Sequence, residues 1–265
     1  MVRLRAVLLL ALLLLVGNAP VVADPEVLRA VDASPFLEQN LRTLCDELGP
    51  RPTGSAAMQR AAQWALGQFQ DASTDSAWLE TFELPRSWSD GGAEIRVTAP
   101  VPFEVRAAST AWSPATAGSR NQELELVLSD GLGEGSVRRL GKAAKGRAVL
   151  VLLDEAKTFY AMGLQQTRAI WAMREAGDVG AAVVLFASIK PNRILFRHTH
   201  TVDAQVDPVP SAVIAREDAL RIGRLLESGA TVKVQVSIRT EIGGPVRGAN
   251  VVAEIRGSEW PEEVV

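Results

Sequence analysis

Two unbroken apolar runs flank one segment of helical period, and that arrangement constrains the fold of this chain more than any other feature. The runs are Ala148-Val149-Leu150-Val151-Leu152-Leu153 and Gly180-Ala181-Ala182-Val183-Val184-Leu185-Phe186. A short apolar run without polar alternation suits a strand buried on both faces, as in sheets covered by helices. Between the two, Leu164 to Ala176 has helical spacing, and Gly177 predicts its end. A short extended segment, Ser211 to Ile214, follows. Arg216 to Glu227 then reads as a helix with Leu220, Leu225 and Leu226 apolar, closed by Gly229. Strand, helix, strand, helix and strand in this order predict an α/β domain.

The flanking segments carry different patterns. Leu37, Leu41, Leu44 and Leu48 recur at helical spacing, so Pro35 to Leu48 predicts a helix begun by Ser34 and Pro35 and stopped by Gly49-Pro50. Cys45, the only cysteine, is expected near the packed face of that helix, and a lone cysteine allows no internal disulfide. Ser55 caps a second predicted helix, Ala56 to Gln70, with Met58, Ala62, Ala65, Leu66 and Phe69 on its buried face. Trp78 to Leu84, Ile95 to Thr98 and Leu124 to Leu128 read as strands. Thr231 to Ile238 alternates Val232, Val234, Val236 and Ile238 inward with Thr231, Lys233, Gln235 and Ser237 outward, the period of a half-buried strand. Ser109 to Gln122, rich in small polar residues, predicts a surface connection.

The chain starts with Arg3 and Arg5, an apolar run from Ala6 to Val16, and Val21-Val22-Ala23 ahead of Asp24. This is the pattern of a cleavable signal peptide over residues 1–23, and it implies export, to a secreted or periplasmic location. The competing reading, an uncleaved membrane anchor, needs roughly 20 apolar residues, more than this run supplies. The formal net charge is −3, and removing Arg3 and Arg5 leaves about −5. No basic stripe is present, so the sequence offers no footprint for nucleic acid.

Three blocks in sequence order point further. They are Lys145-Gly146-Arg147-Ala148-Val149-Leu150, then Ala176-Gly177 with Gly180 to Leu185, then Val209-Pro210-Ser211-Ala212-Val213-Ile214 followed by Glu217-Asp218-Ala219-Leu220. Together they resemble a protease-associated domain. The flanks resemble the M28 zinc metallopeptidases, on Leu48-Gly49-Pro50-Arg51, Gly54-Ser55, Glu80-Thr81-Phe82-Glu83-Leu84-Pro85 with Trp88, and Asn250-Val251-Val252-Ala253-Glu254-Ile255-Arg256-Gly257. The resemblance covers Phe36 to Val265. It implies an incomplete M28 peptidase α/β sheet domain carrying an inserted protease-associated α/β domain. The divisions it implies are 24–102 for the helices and first strands of the peptidase domain, 103–240 for the insert and 241–265 for a return strand. It further implies a peptide- or dipeptide-cleaving zinc exopeptidase in which two zinc ions share a bridging water and a Glu acts as base. The family's metal-binding motifs are not in this sequence, so no catalytic or metal residue is carried over. The chain alone is expected to be inactive, to bind no cofactor itself and to form the front part of a longer enzyme. A non-catalytic exported binding module is the alternative. Nothing in the residues bears on oligomeric state.

The only histidines, His198 and His200, lie in Arg197-His198-Thr199-His200-Thr201-Val202-Asp203. On an extended segment alternate side chains point the same way. The two imidazoles can then converge on one ion, with Asp203 or Asp207 as third ligand. A solvent-exposed polar loop is the competing reading. A His-Thr pair also occurs in this loop of the resembled family, which makes Arg197, His198, Thr199 and His200 candidate substrate contacts. Arg193, Arg197 and His198 form a basic cluster able to take a peptide carboxylate. Gly131-Leu132-Gly133-Glu134-Gly135 lacks the spacing of a phosphate or dinucleotide loop and reads as a turn. No Gly-x-Ser-x-Gly elbow marks a serine nucleophile. The final strand, Asn250 to Ile255, is expected to lack pairing partners. Residues 103–240 are therefore expected to fold better alone than the whole chain.

Overall fold

The computed structural model describes residues 24–117, 122–201 and 205–263. The expected signal peptide and Asp203 lie outside the described residues. The described residues divide into two compact units, parted between Gly49 and Pro50.

In the first unit, helix α1 (Pro25–Asp32) is capped by Asp24, whose carboxylate accepts the Glu26 amide at 2.8 Å. Helix α2 (Phe36–Arg42) continues into a π-helical turn, Thr43–Glu47. The predicted helix is thus present but split in character. Its leucine stripe is not buried: Leu37 is 56% exposed. Cys45 is also exposed rather than packed. Such short helices gain little from backbone bonding alone.

The second unit begins with α3 (Ala56–Asp71). The Ser55 hydroxyl caps it by accepting the Met58 amide at 3.1 Å. Its buried side chains are Ala61 and Ala62, while Phe69 is exposed. Strands β1 (Ser76–Leu84) and β10 (Val246–Glu254) form a two-stranded antiparallel ribbon from Ser76↔Glu254 to Leu84↔Val246. The final strand is therefore paired, on one side, by β1. A groove of about 660 Å³ opens between α3 and this ribbon, lined by Met58, Ala62, Leu79, Arg60, Arg247 and Gly248 among others.

The larger part is an eight-stranded mixed sheet in the order β3-β2-β9-β5-β6-β7-β8-β4. Its strands are β2 (Trp88–Ala99), β3 (Phe103–Val105), β4 (Ala107–Ser109), β5 (Gln122–Leu128), β6 (Ala148–Val151), β7 (Val183–Ala187), β8 (Ser211–Ile214) and β9 (Lys233–Ile242). β5, β6, β7 and β8 run parallel, with the apolar runs of β6 and β7 at the centre of the four. The two end strands, β3 and β4, are consecutive and separated by Arg106 alone, so the sheet curls to bring its ends together. Every residue of β6, β7 and β8 is buried. Helix α4 (Phe159–Val179) covers one face of the sheet, with Ala169, Ala172, Met173 and Ala176 in a core shared with Val149, Val184 and Phe186. Helix α5 (Arg216–Glu227) belongs to the other face, where Ala219 and Ile222 join Leu150, Leu185 and Val234.

Two departures have clear causes. Gly177 does not end α4; the helix runs on to Val179, and Gly180 closes it in the left-handed conformation, φ 71°. Gly177 instead lets Pro208 approach, since a Cβ there would stand 2.7 Å from the proline Cβ. The second departure concerns β2. It is longer than Ile95 to Thr98 and pairs along β9 from Trp88↔Ile242 to Ala99↔Lys233. The eight-stranded sheet therefore takes in Trp88–Ile242, wider than 103–240. A cut at 103 removes the strand that covers one edge of β9, which argues against independent folding of 103–240. Val232, just before β9, and Val234, Val236 and Ile238 within it are buried as predicted, but Ser237 is buried too.

Candidate functional site

The segment carrying both histidines leaves β7 through a tight turn. Asn192 and Arg193 both adopt positive φ, 61° and 56°. Their amides donate to the Glu217 carboxylate at 2.7 and 3.1 Å. The Arg193 guanidinium forks onto Asp218 at 2.7 and 2.8 Å, and that pair raises its pKa. Both acids stand in the first turn of α5, where the helix dipole favours negative charge. Asp218 also accepts the Arg106 amide at 2.9 Å, tying the junction between β3 and β4 to the same point. Beyond the turn, the Ser188 hydroxyl donates to Ile194 O at 2.6 Å and accepts the Phe196 amide at 3.2 Å.

Arg197 turns inward. Its guanidinium donates to Ser109 O at 2.8 Å and to Asp90 at 2.7 Å, with the Trp88 ring centroid 6.0 Å away. Burial works to raise the pKa of Asp90, but hydrogen bonds from Ser109 and Gly92 and the charge of Arg197 hold it below the ordinary value. Two members of the expected basic cluster are already engaged within the fold. Arg193 and Arg197 are each committed to a carboxylate of the same fold, and His198 is held neutral.

His200 is 3% exposed. Its ring lies 4.4 Å from that of Phe186, and its Nδ1 meets Asp207 Oδ2 at 3.1 Å. The same Asp207 oxygen accepts the Ser211 hydroxyl at 3.1 Å, and the Ser211 and Thr110 hydroxyls bond each other. Ser113 extends the network, accepting the Ser211 amide at 2.8 Å through its hydroxyl and the Trp88 indole N–H at 3.0 Å through its carbonyl. His198 stands nearly perpendicular to His200, with ring centroids 5.0 Å apart, and 6.1 Å from Phe186. Burial first, and the neighbouring His200 second, lower its pKa from 6.5 to about 3. Thr199 forms a parallel bridge with Ala111, and its carbonyl accepts from the Gln166 amide.

This is not the exposed polar loop of the competing reading. It is also not a serine triad: Ser211 is fully buried and bonded to the aspartate rather than to a histidine. Three buried atoms of the cluster have no hydrogen-bond partner, His198 Nδ1, His200 Nε2 and Asp207 Oδ1. Among the described residues no set of three or more His, Cys, Asp and Glu side chains is arranged to hold a metal ion. Asp207 faces the opposite edge of His200 from Nε2, so it is not a third ligand beside that nitrogen. Of the four candidate substrate contacts, His198, Thr199 and His200 share this cluster, and Arg197 leaves it for Asp90.

Sequence reasoning missed Glu175. This buried carboxylate on α4 gathers the glycine turn by accepting the amides of Gly135, Val137 at 2.9 Å and Arg138 at 3.1 Å. Gly131, Gly133 and Gly135 all take positive φ there. The turn is thus a backbone wrap around a charge, and nothing local to Glu175 in the sequence signals it.

Solved structures share this fold. A peptidase M28 precursor from Shewanella amazonensis SB2B aligns with TM-score 0.73 and 21% identity over 87% of this chain and 52% of its own. An aminopeptidase from an Aneurinibacillus strain aligns with TM-score 0.52 and 18% identity over 83% and 48%. No family profile matches the chain. The fold and its relatives point to one class: the chain has the fold of M28 peptidases and is similar to them in sequence. Its similarity is to carboxypeptidase Q. The Bos taurus protein is 28% identical over 231 residues, 86% of this chain and 47% of its own length, and the Homo sapiens protein 27% over the same shares. The chain spans about half the length of these curated relatives. Among the described residues no helix is long and apolar enough to cross a membrane.

Proposed function

We propose that this chain is the front portion of an exported M28-type zinc metallo-exopeptidase that cleaves peptides or dipeptides. In this reading the Trp88–Ile242 domain is a protease-associated insert that shapes access to the active site. The observation that carries it is the continuous match of 86% of the chain to about half of carboxypeptidase Q. Among the described residues no set of His, Cys, Asp and Glu side chains is arranged to hold a metal ion, so no catalytic step is assigned to them. The two zinc ions and their ligands belong to the complete enzyme, outside this sequence. Peptide substrate is the partner this reading implies.

The test is to express two proteins, the chain as given and the product of its reading frame extended beyond the Val265 codon. Zinc content and dipeptide hydrolysis are expected in the extended product alone. Hydrolysis by the shorter chain, or an extension without His- and Asp-bearing motifs, overturns the reading. The second result would favour a non-catalytic binding module. For that reading the molecule offers Phe159 and Tyr160, 90% and 83% exposed at the head of α4, a pairing of aromatics suited to a protein contact.

A further inference from the structure

The His198 ring occupies a place where a proton is poorly received. Phe186 and Phe196 stand about 6 Å from it on two sides. Its Nδ1 is buried and has no partner. Among the described residues, the titratable and charged groups around it are few. They are His200 on the same segment, Asp207 behind His200 on the loop before β8, Lys190 6.0 Å from the Phe196 ring, and the Arg197–Asp90 ion pair. None of them places a free carboxylate against His198 Nδ1. The segment is held at Phe196 by Ser188, at Arg197 by Ser109 and Asp90, at Thr199 by Gln166 and the short bridge to Ala111, at His200 by Asp207 and at Thr201 by Gln205, so His198 is the member whose ring nitrogen Nδ1 is buried without a partner.

We propose that the segment Phe196–Thr201 is a proton-operated latch, closed against β7 and β8 while His198 is neutral and released when His198 takes up a proton. The linkage has a definite sign. The closed form binds the proton more weakly than the open one, since burial lowers the pKa from 6.5 to about 3. Stability of the closed form is therefore fully present above pH 6.5 and is lost as the pH falls towards 3. With an ordinary histidine in the open form, the open population rises about 30-fold between pH 7.5 and pH 5. The latch rests on the burial and missing partner of His198 Nδ1 and not on the proposed function.

The experiment is amide hydrogen exchange on the full chain at pH 7.5 and pH 5, corrected for intrinsic exchange, read on peptides spanning 194–201 and on β6 and α5 as internal references. The expected result is an increase of about 30-fold in opening of the segment at pH 5, little change in the references, and loss of the dependence in His198→Gln. Equal protection at the two pH values overturns the proposal. The same pH response in His198→Gln also overturns it, because another group would then be responsible. Should that variant fail to fold, ring-nitrogen NMR of the unsubstituted chain decides. His198 staying neutral at pH 5 in the closed form supports the latch, and titration at the ordinary value overturns it.

Discussion

The strands β6, β7 and β8 and the ribbon of β1 and β10 both carry large apolar side chains, and these end in different states. The first three are hydrogen-bonded on both sides and covered on both faces by α4 and α5. Their side chains, including Leu150, Leu185 and Phe186, are wholly buried. The ribbon has one pairing and, among the described residues, two open edges. Trp78 and Phe82 remain partly exposed on it. The comparison teaches that apolar content does not make a core; the number of neighbours does. An apolar residue contributes in proportion to the surface it removes from water. A ribbon with both edges open is also the place where a further strand can add.

The largest effect should come from where the chain is cut. A fragment of residues 88–242 keeps β2 on β9, and cooperative thermal unfolding is expected from it. One of residues 103–240 loses that strand and should show no cooperative transition. Equal transitions in the two would break the assignment of β2 to the sheet. Next, Phe186→Ala should cost about 3–5 kcal/mol in denaturant unfolding, whereas Phe82→Ala on the ribbon should cost under about 1 kcal/mol. Similar costs would mean that the ribbon is as well packed as the central strands. Gly177→Ala sets a Cβ 2.7 Å from Pro208, and overpacking of this kind costs about 1–3 kcal/mol. A stabilising outcome in the same assay would show that the 208 loop yields freely. The smallest effect belongs to Ser55→Ala, which removes the cap on Met58 N and should cost about 1 kcal/mol. A helix signal that melts ahead of the main transition in that variant would show that α3 is held by its cap more than by its packing.

Much of this architecture was legible in local pattern. The apolar runs announced β6 and β7 as doubly buried strands. The alternation Val232, Val234, Val236 and Ile238 named the inward face of β9. Helix α5 falls on Arg216–Glu227, where its period placed it. The candidate site was only half legible. His198 and His200 drew notice as a pair, but their number and spacing fitted an exposed ligand loop as well as a buried cluster. Nothing beside Asp207, Ser211 or Thr110 said that the three would meet His200 in one network.

The sequence by itself determined the central strands β6, β7 and β9, the helix α5 and the inward face of β9, because those follow from unbroken apolar runs and from periods of two and 3.6 residues written along the chain. Only the tertiary structure decided that Thr110 bonds Ser211, 101 residues away. It alone showed that Arg193 and Arg197 are consumed by Asp218 and Asp90, and that Glu175 anchors a glycine turn 40 residues before it. A polar side chain's partner is set by the order in which strands are laid side by side, and that order depends on how the whole set of buried faces packs. No local period carries it. The low-dielectric interior then makes each pairing, or the lack of one at His198, matter for the chemistry.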